Sequence, residues 1–427
     1  MSKPGHIHRA WWMLIGCCLL QGGSLGIVHN CRGIFYDPVI EDLGFGMGAF
    51  TFYVLFFGVC SCIVLPFVGK SFRRIDSRIL LGGASLVFSG TVFAMGFFQT
   101  LPAFYIAGAL QGFASAFLMF YPAPYILGNW FYKKRGLAVG LAAAFSGIAG
   151  ALGNPLGNAI IRAFGWRVGF FSFGALSLLM MLPVSVFLLR CSPEEVGCRP
   201  YGAEDDEAIT GESCPLDGVP ASRAKRESAF WLLILAGLLA SFTCSYCAHL
   251  SPIGIYFGYG SVVGALMISC SMAGNVVGKL LLGHLYDRFG LRASLAAGTV
   301  VTAAGYLLLL VNSLTVRIIG ATLYGFSMAT STVMIAIAIR DIYGSRDYGE
   351  LLPYSSMVSA LGTSVNAVII GYMVDGFGRQ RGYIISLWYG LALTLAMGAL
   401  FIVSVRGGRK IAAEYKTGES AGVSSKP

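Results

Sequence analysis

Charged residues are scarce in this chain of 427 residues. They make up 12% of the sequence, whereas 56% of it is hydrophobic and the mean hydropathy is +0.72. A water-soluble fold of this length could not hide so much apolar surface, so the composition excludes an ordinary soluble protein. It indicates that lipid surrounds most of the chain.

Acidic residues are missing from two long stretches. No Asp or Glu lies between Asp76 and Glu194, or between Glu227 and Asp287. Every carboxylate falls in or beside a predicted loop, which argues against a buried carboxylate as a proton carrier. A histidine would then be the remaining group able to carry a proton through the core near neutral pH.

Motifs of enzyme chemistry are also missing. The sequence has no phosphate-binding glycine loop with its lysine, no zinc motif and no nucleophile elbow. The pair Cys244 and Cys247 has no second pair at metal-binding spacing, so we interpret it as packing. We therefore expect no catalytic residues, no metal site and no cofactor, and the protein is predicted not to be an enzyme.

What the sequence does contain is apolar segments long enough to cross a membrane, for which about 20 residues are needed. Twelve are predicted, at residues 10–36, 46–67, 79–98, 101–127, 136–162, 167–189, 228–256, 261–285, 291–312, 315–339, 350–374 and 381–405. The prediction is an all-α membrane protein with 12 transmembrane helices in two six-helix pseudo-repeats.

The spans divide the chain into four parts. A six-helix bundle is predicted at 1–189 and a second at 228–405, joined by a solvated polar linker at 190–227. Residues 406–427 are expected to form a loose polar tail. The protein is expected to work as a monomer in the bilayer.

The charges of the loops predict the orientation. Basic residues fall on the side that holds both termini and the linker, at Lys70, Arg73, Arg74, Arg78, Lys133, Lys134, Arg135, Arg288, Arg292, Arg340 and Arg346. By the positive-inside rule this side is cytoplasmic, in the plasma membrane or a bacterial inner membrane. The net charge of +10 is explained in the same way, so no nucleic-acid partner is expected.

One loop pattern occurs twice. Residues Gly283 to Arg292 form a short, charged, glycine-containing segment, and Gly69 to Arg78 repeat it 214 residues earlier (283 − 69). The second copy has Gly283, Asp287, Arg288, Gly290 and Arg292, whereas the first has Gly69 and Arg74 but Arg73 in place of the aspartate. The pattern resembles the loop signature of the major facilitator superfamily, which implies a transporter in which this loop stabilises one access state.

A closer resemblance rests on three further segments. The run Asn129 to Gly140, the sequence Phe164-Gly165-Trp166-Arg167 and, more loosely, Gly33 to Val39 are similar to the monocarboxylate transporters and oxalate:formate antiporters. This resemblance implies alternating access and small carboxylates as cargo. At two places the sequence departs from the pattern of particular members of this group. The eleventh span has no basic residue, and Asn275 stands where animal monocarboxylate transporters have an aspartate.

Ionisable residues inside the spans are candidate sites, because a charge near the bilayer centre costs about 3 kcal/mol on insertion scales. Lys279 is the first candidate for binding an anion; the alternative is a snorkelling anchor at the interface. His29, Arg32 and Tyr36 share a helical face in the first span, although Arg32 could instead pair with Asp37 or Glu41. Tyr246 and His249 form a similar stripe in the seventh span; the alternative for His249 is a packed residue.

These observations favour a secondary transporter of small organic anions, with monocarboxylates as the expected class. Coupling is expected to be anion exchange or histidine-assisted proton symport. The alternatives are a transporter of a neutral metabolite or drug, and a membrane sensor that does not transport. The linker and tail are short and polar, whereas a sensor would be expected to carry a folded cytoplasmic domain.

Overall fold

A computed structural model describes residues 8–132, 134–202, 218–344 and 347–423. Within these ranges it contains ten helical segments that are long and apolar enough to cross a membrane. Two of these segments, Gly136–Leu188 and Gly260–Leu310, each contain two helices joined at one glycine, Gly165 or Gly290. The described residues therefore form twelve spans, as the sequence predicts.

The spans are numbered in chain order. They are α1 (Arg9–Leu43), α2 (Met47–Phe72), α3 (Ser77–Phe97), α4 (Leu101–Trp130), α5 (136–164), α6 (166–188), α7 (Ser228–Tyr256), α8 (260–289), α9 (291–310), α10 (Leu314–Tyr343), α11 (Glu350–Phe377) and α12 (Arg379–Lys410). Helical structure also continues from α2 to Arg74, begins at Tyr348 before α11 and extends from α12 to Val423.

Twelve spans return the chain to the face on which it started. We call the face with Arg9, Trp130 and the linker the terminal face, and the other the opposite face. The connections on the opposite face are very short. They are residues 44–46, 98–100, 165, 257–259, 311–313 and 378.

The repeated loop pattern is mostly helix, which corrects the prediction of a loop. Residues 283–289, with Asp287 and Arg288, form the last turns of α8, and the chain reverses at Gly290, whose φ of 80° suits glycine. Arg292 already belongs to α9. In the first copy, Gly69 to Arg74 continue the helix of α2, and the turn follows at Ile75 and Asp76.

Two spans that line the junction of the halves are irregular at mid-length. In α1 the segment Gly22–His29 is a π-helix and Arg32–Phe35 is a 3₁₀-helix. In α7 the segment Ser245–His249 is also a 3₁₀-helix. Such departures are frequent at functional sites. They also mean that the side chains of these segments are not placed at the regular α-helical spacing.

The two halves approach closely at glycines. A side chain added at Gly33 of α1 would lie 2.2 Å from the backbone oxygen of Ala248 in α7. One added at Gly58 of α2 would lie 2.1 Å from Ser364 in α11. Small residues of this kind allow membrane helices to pack backbone to backbone. The halves are therefore in direct contact from the opposite face down to mid-membrane.

The linker and tail differ from the expectation of loose, solvated segments. Tyr201 donates its backbone N–H to Trp130 (2.8 Å) in the first half, and Ala221 donates to Asp347 (2.7 Å) in the second. Val219 and Ala224 are buried against the second half. The acidic run 204–207 lies outside the described residues. The predicted loose tail is helical as far as Val423, because α12 continues without a break.

Candidate functional site

Lys279 lies deep in the second half. Because α8 extends to residue 289 and not 285, Lys279 is eleven residues before the break at Gly290 (290 − 279), or about 16 Å at 1.5 Å per residue. Its side chain is partly exposed. It makes no ion pair or hydrogen bond with any residue that the structure describes. A cation at this depth without a partner is less easily explained as an interfacial anchor.

Arg32 is the corresponding cation of the first half. It is partly exposed and stands in the 3₁₀ segment of α1. The two acidic residues that could have paired with Arg32 have other contacts. Asp37 accepts a hydrogen bond from Tyr256 (2.6 Å), and Glu41 pairs with Arg379 (3.4 Å). Within the described ranges Arg32 has neither an ion pair nor a hydrogen bond, so its charge is uncompensated.

The two cations have a neighbour in common at the junction of the halves. Cys244, in the middle of α7, is within electrostatic range of both Arg32 and Lys279. Arg32 is also within range of His29, Tyr36 and His249. The structure thus brings the candidates of α1, α7 and α8 into one central region with a positive charge from each half.

A small cavity of about 30 Å³ opens beside Arg32 inside the first half. His29, Arg32 and Gln111 are its polar lining residues, and most of the others are aromatic or aliphatic, among them Phe57 and Phe170. A space of this size holds a water molecule or two, not a cargo molecule. Its polar lining nevertheless places His29 and Arg32 on the same cavity wall, as predicted.

The remaining aromatic and histidine candidates are buried and packed. The rings of Tyr36 and His249 are 5.6 Å apart, and His249 Nδ1 lies 3.5 Å from the hydroxyl of Tyr383. Tyr246 donates its hydroxyl to the backbone oxygen of Ser386 and packs on Tyr306. Tyr246 and His249 therefore both face α12, and the Tyr246 hydroxyl joins α7 to that helix.

One carboxylate is buried, contrary to the expectation from the sequence. Asp37 is only 3% exposed, because α1 continues as a helix to Leu43 where a loop was expected. Its partner, the hydroxyl of Tyr256, comes from the other half. A carboxylate at the junction of the halves is therefore available to the coupling mechanism, and histidine is not the sole ionisable candidate.

Polar contacts join the two halves on the opposite face. The Asp375 carboxylate at the end of α11 accepts the backbone N–H groups of Met47 (2.9 Å) and Gly48 (2.7 Å), and so caps the first turn of α2. The Tyr256–Asp37 hydrogen bond and the Arg379–Glu41 ion pair lie on the same face. Deeper in the membrane, Ser269 of α8 donates to the backbone oxygen of Ala151 in α5 (2.8 Å).

The charged contacts described on the terminal face lie within one half. Tyr286 donates to Asp341 (3.1 Å), which also pairs with Arg409 (3.0 Å), and Arg288 lies over the ring of Phe289. Among the described residues, Asp287 has no ion pair. The described polar contacts between the halves thus lie on the opposite face and near mid-membrane.

Several functional residues were missed from the sequence. Asp375 and Tyr256 stand at span ends, where polar residues usually mark a loop, and their partners are more than 200 positions away. Asn275 lies one helical turn before Lys279 and is buried. Its side-chain oxygen has no hydrogen-bond partner among the described residues.

Comparisons with known proteins agree with this architecture. The sequence matches the Major Facilitator Superfamily over residues 23–274 and 250–422. It is 23% identical to monocarboxylate transporter 12 of Mus musculus over 86% of this chain and 80% of that protein. It is 27% identical to the MFS-type transporter pynF of Aspergillus niger over 66% of this chain, but the alignment spans only 62% of that relative's length.

A solved structure has the same fold. The bacterial homologue of the human lysosomal transporter Spinster, in an inward-facing and unoccupied conformation, superposes with a TM-score of 0.69. The alignment covers 95% of this chain and 99% of that one at 16% identity. The chain therefore belongs to the Major Facilitator Superfamily and is a multi-pass membrane transporter, not an enzyme.

Proposed function

We propose that the protein transports small organic anions, with monocarboxylates as the preferred class, by alternating access. The observation that carries this proposal is the central pair of cations. Arg32 and Lys279 come from different halves, are partly exposed and lack carboxylate partners among the described residues. A bound carboxylate between them would neutralise charge that the described residues leave uncompensated.

The same arrangement argues against cationic cargo. No described acidic side chain pairs with either cation, so a cationic compound would be repelled from the centre. A neutral metabolite would be tolerated, but it would leave both charges without a counterion. The relatives named as monocarboxylate transporters support anionic cargo.

The direct test is carboxylate binding and exchange by the purified full chain. Thermal-shift measurements against a set of mono- and dicarboxylates would find the ligand, and counterflow in proteoliposomes would measure its transport. We expect stabilisation and counterflow with a monocarboxylate. Binding without counterflow would instead identify a sensor, and stabilisation by neutral compounds alone would contradict the anion site.

Charge variants test the two cations. Because removal of a charge that pairs with a bound carboxylate costs about 2–5 kcal/mol, Lys279→Gln or Lys279→Ala should weaken binding by more than tenfold. Lys279→Arg keeps the charge and should retain partial function, and Arg32→Gln and Arg32→Lys form the matched pair in the first half. Wild-type affinity in Lys279→Gln would show that the lysine is only an anchor.

A carboxylate placed beside Lys279 tests the same site by competition. Asn275→Asp puts an acid one helical turn away, where it can pair with the lysine. We expect weaker anion binding in this variant, with Asn275→Gln as the neutral control. Tighter binding of a carboxylate to Asn275→Asp would contradict the role given to Lys279.

The coupling mechanism is proposed to be anion exchange or proton symport through a buried titratable group, with His29, His249 and now Asp37 as candidates. Uptake driven by a proton gradient would be compared in His29→Gln, His249→Gln and Asp37→Asn. Gradient-dependent uptake that disappears in one variant identifies the carrier. Uptake that depends only on a counter-anion in every case identifies exchange.

We also propose that the terminal face is cytoplasmic and that the protein works as a monomer. The charge distribution of the loops supports the orientation. Reporter cysteines at Arg199 on the terminal face and Thr100 on the opposite face would be labelled in intact cells with an impermeant reagent. Labelling of Arg199→Cys from outside would overturn the orientation, and a stable dimer in light scattering would overturn the monomer.

A further inference from the structure

A groove runs along the outer surface of the second half between α9 and α12. Its volume is about 500 Å³. Its lining from α9 includes Leu295, Thr299 and Val300, and that from α12 includes Leu395, Ala399 and Ile402. Two arginines, Arg292 and Arg406, complete the lining where α9 begins and α12 approaches the terminal face. The groove is thus apolar along its length and basic at one end.

The length of the groove matches one leaflet of the bilayer. From Arg406 to Leu395 there are eleven residues (406 − 395), or about 16 Å along a helix. The hydrocarbon core of a bilayer is about 30 Å thick, so one leaflet contributes about 15 Å. An acyl chain lying in the groove would therefore have its headgroup level with the two arginines.

The charge at the basic end differs from that of the equivalent position in the first half. The internal repeat places Arg78 opposite Arg292 (292 − 214), and Arg78 lies near Arg190 just after α6. There the carboxylates of Asp76 and Glu195 are also within range of Arg190. Arg292 and Arg406 are exposed, and neither forms an ion pair with any described residue. The first half supplies its own counterions, whereas the second leaves two cations for an external anion.

We propose that this groove binds an anionic phospholipid of the surrounding membrane, with the phosphate held by Arg292 and Arg406 and one acyl chain between α9 and α12. Basic pockets between membrane helices on the cytoplasmic side bind anionic headgroups, and the terminal face is proposed above to be cytoplasmic. Arg292 lines the groove, whereas Arg288 at the end of α8 does not line it and lies over the ring of Phe289. The phosphate is therefore expected to contact Arg292 and not Arg288. The site is independent of the central cations and of the cargo.

The proposal is tested by lipid binding to the detergent-solubilised full chain. Phosphatidylglycerol, phosphatidylcholine with the same acyl chains, and inorganic phosphate would be titrated separately, and bound lipid counted by native mass spectrometry. We expect phosphatidylglycerol to bind at least tenfold more tightly than phosphatidylcholine, with no competition from millimolar phosphate. Equal binding of the two lipids would overturn the role of the arginines, and displacement by phosphate would identify a site for free anions.

Two kinds of variant separate the basic end from the apolar groove. At about fivefold per basic residue, Arg292→Gln combined with Arg406→Gln should weaken phosphatidylglycerol binding about thirtyfold. The matched control is Arg78→Gln, which removes the equivalent arginine of the first half and should leave binding unchanged. Ala399→Trp, at an exposed position, should fill the groove and weaken both lipids.

The contrary results are equally specific. Unchanged phosphatidylglycerol binding in the double arginine variant would overturn the headgroup site, and unchanged binding in Ala399→Trp would overturn the groove. A dimer that dissociates in Ala399→Trp would show that a second copy of the chain occupies the groove in place of lipid.

Discussion

The two faces of the molecule hold their charged residues in different ways. On the opposite face, Asp375, Asp37 and Glu41 all accept bonds from the other half of the protein. On the terminal face, Asp341 is bonded by Tyr286 and Arg409 of its own half. Polar contacts thus join the halves on the opposite face. The described contacts of Asp341 on the terminal face lie within the second half.

Under the proposed alternating-access mechanism, this difference corresponds to a state that is closed at the opposite face. Alternating access requires that one face be closed while the other is open, and the closed face must be stabilised by contacts that later break. The contacts of the opposite face are few, and each joins a named donor to a named acceptor. They can therefore be removed one at a time, and the resulting shift in population measured.

The readout for each variant is the labelling rate of a cysteine placed at Thr51. This residue is buried where α2 meets Gly371 of α11, so it should react only when the opposite face opens. The native cysteines would first be replaced in the background used for labelling. An impermeant maleimide would then report the open population directly.

The largest effect is expected from Tyr256→Phe. This change removes the hydroxyl that bonds the buried Asp37 carboxylate at 2.6 Å. A hydrogen bond to a charged group contributes about 2 kcal/mol, so labelling should rise by about thirtyfold. Tyr132→Phe, at an exposed position on the terminal face, is the control. A rise of less than threefold would show that this bond does not hold the face closed.

A smaller effect is expected from Asp375→Ala. The carboxylate acts as a helix cap for α2 across the junction, and loss of a cap typically costs about 1 kcal/mol. Labelling should rise about fivefold, and Asp375→Asn should retain part of the cap. If alanine and asparagine gave the same rate as the parent, the contact would be incidental to closure.

Arg379→Gln should have a still smaller effect. The Arg379–Glu41 pair spans 3.4 Å, with side chains 53% and 57% exposed, and exposed pairs contribute at most about 1 kcal/mol. We expect about a twofold rise at low salt and none at 0.5 M salt, where the pair is screened. A large effect that persists at high salt would contradict an exposed ion pair as the cause.

The smallest change in labelling is expected from Asp287→Asn on the terminal face. Asp287 has no ion pair among the described residues, so its loss should not alter the state seen here. We expect slower counterflow with substrate affinity within a few fold, because the residue would act only when the terminal face closes. An unchanged counterflow rate would remove Asp287 from the gating mechanism.

Most of the fold could be predicted from hydropathy, because each span is a long apolar segment bounded by a charge or a glycine. The errors share one cause: charged or polar residues were interpreted as loops where they form helix ends. Residues 37–43 and 286–289 are both helical, and the chain turns at single glycines whose backbone angles L-residues avoid. Apolarity alone does not distinguish a charged helix end from a loop.

The site was predicted as a set of residues but not as an arrangement. Arg32 and Lys279 could be selected because ionisable groups inside spans are rare. That Cys244 is a neighbour of both could not be predicted, because this depends on how α7 packs between the halves. The stripe predicted for His29, Arg32 and Tyr36 assumed a regular α-helix, whereas the chain here changes from a π-helix to a 3₁₀-helix.

The short connections of the opposite face have a practical consequence for reagents that recognise the protein. With no described connection on that face longer than three residues, a protease or antibody fragment finds almost no extended polypeptide there. A fiducial binder for electron microscopy would therefore be better selected against the terminal face, where the linker ends present folded surface. Affinity tags inserted at Gly165 or Gly378 would separate helices joined by one residue and should abolish expression.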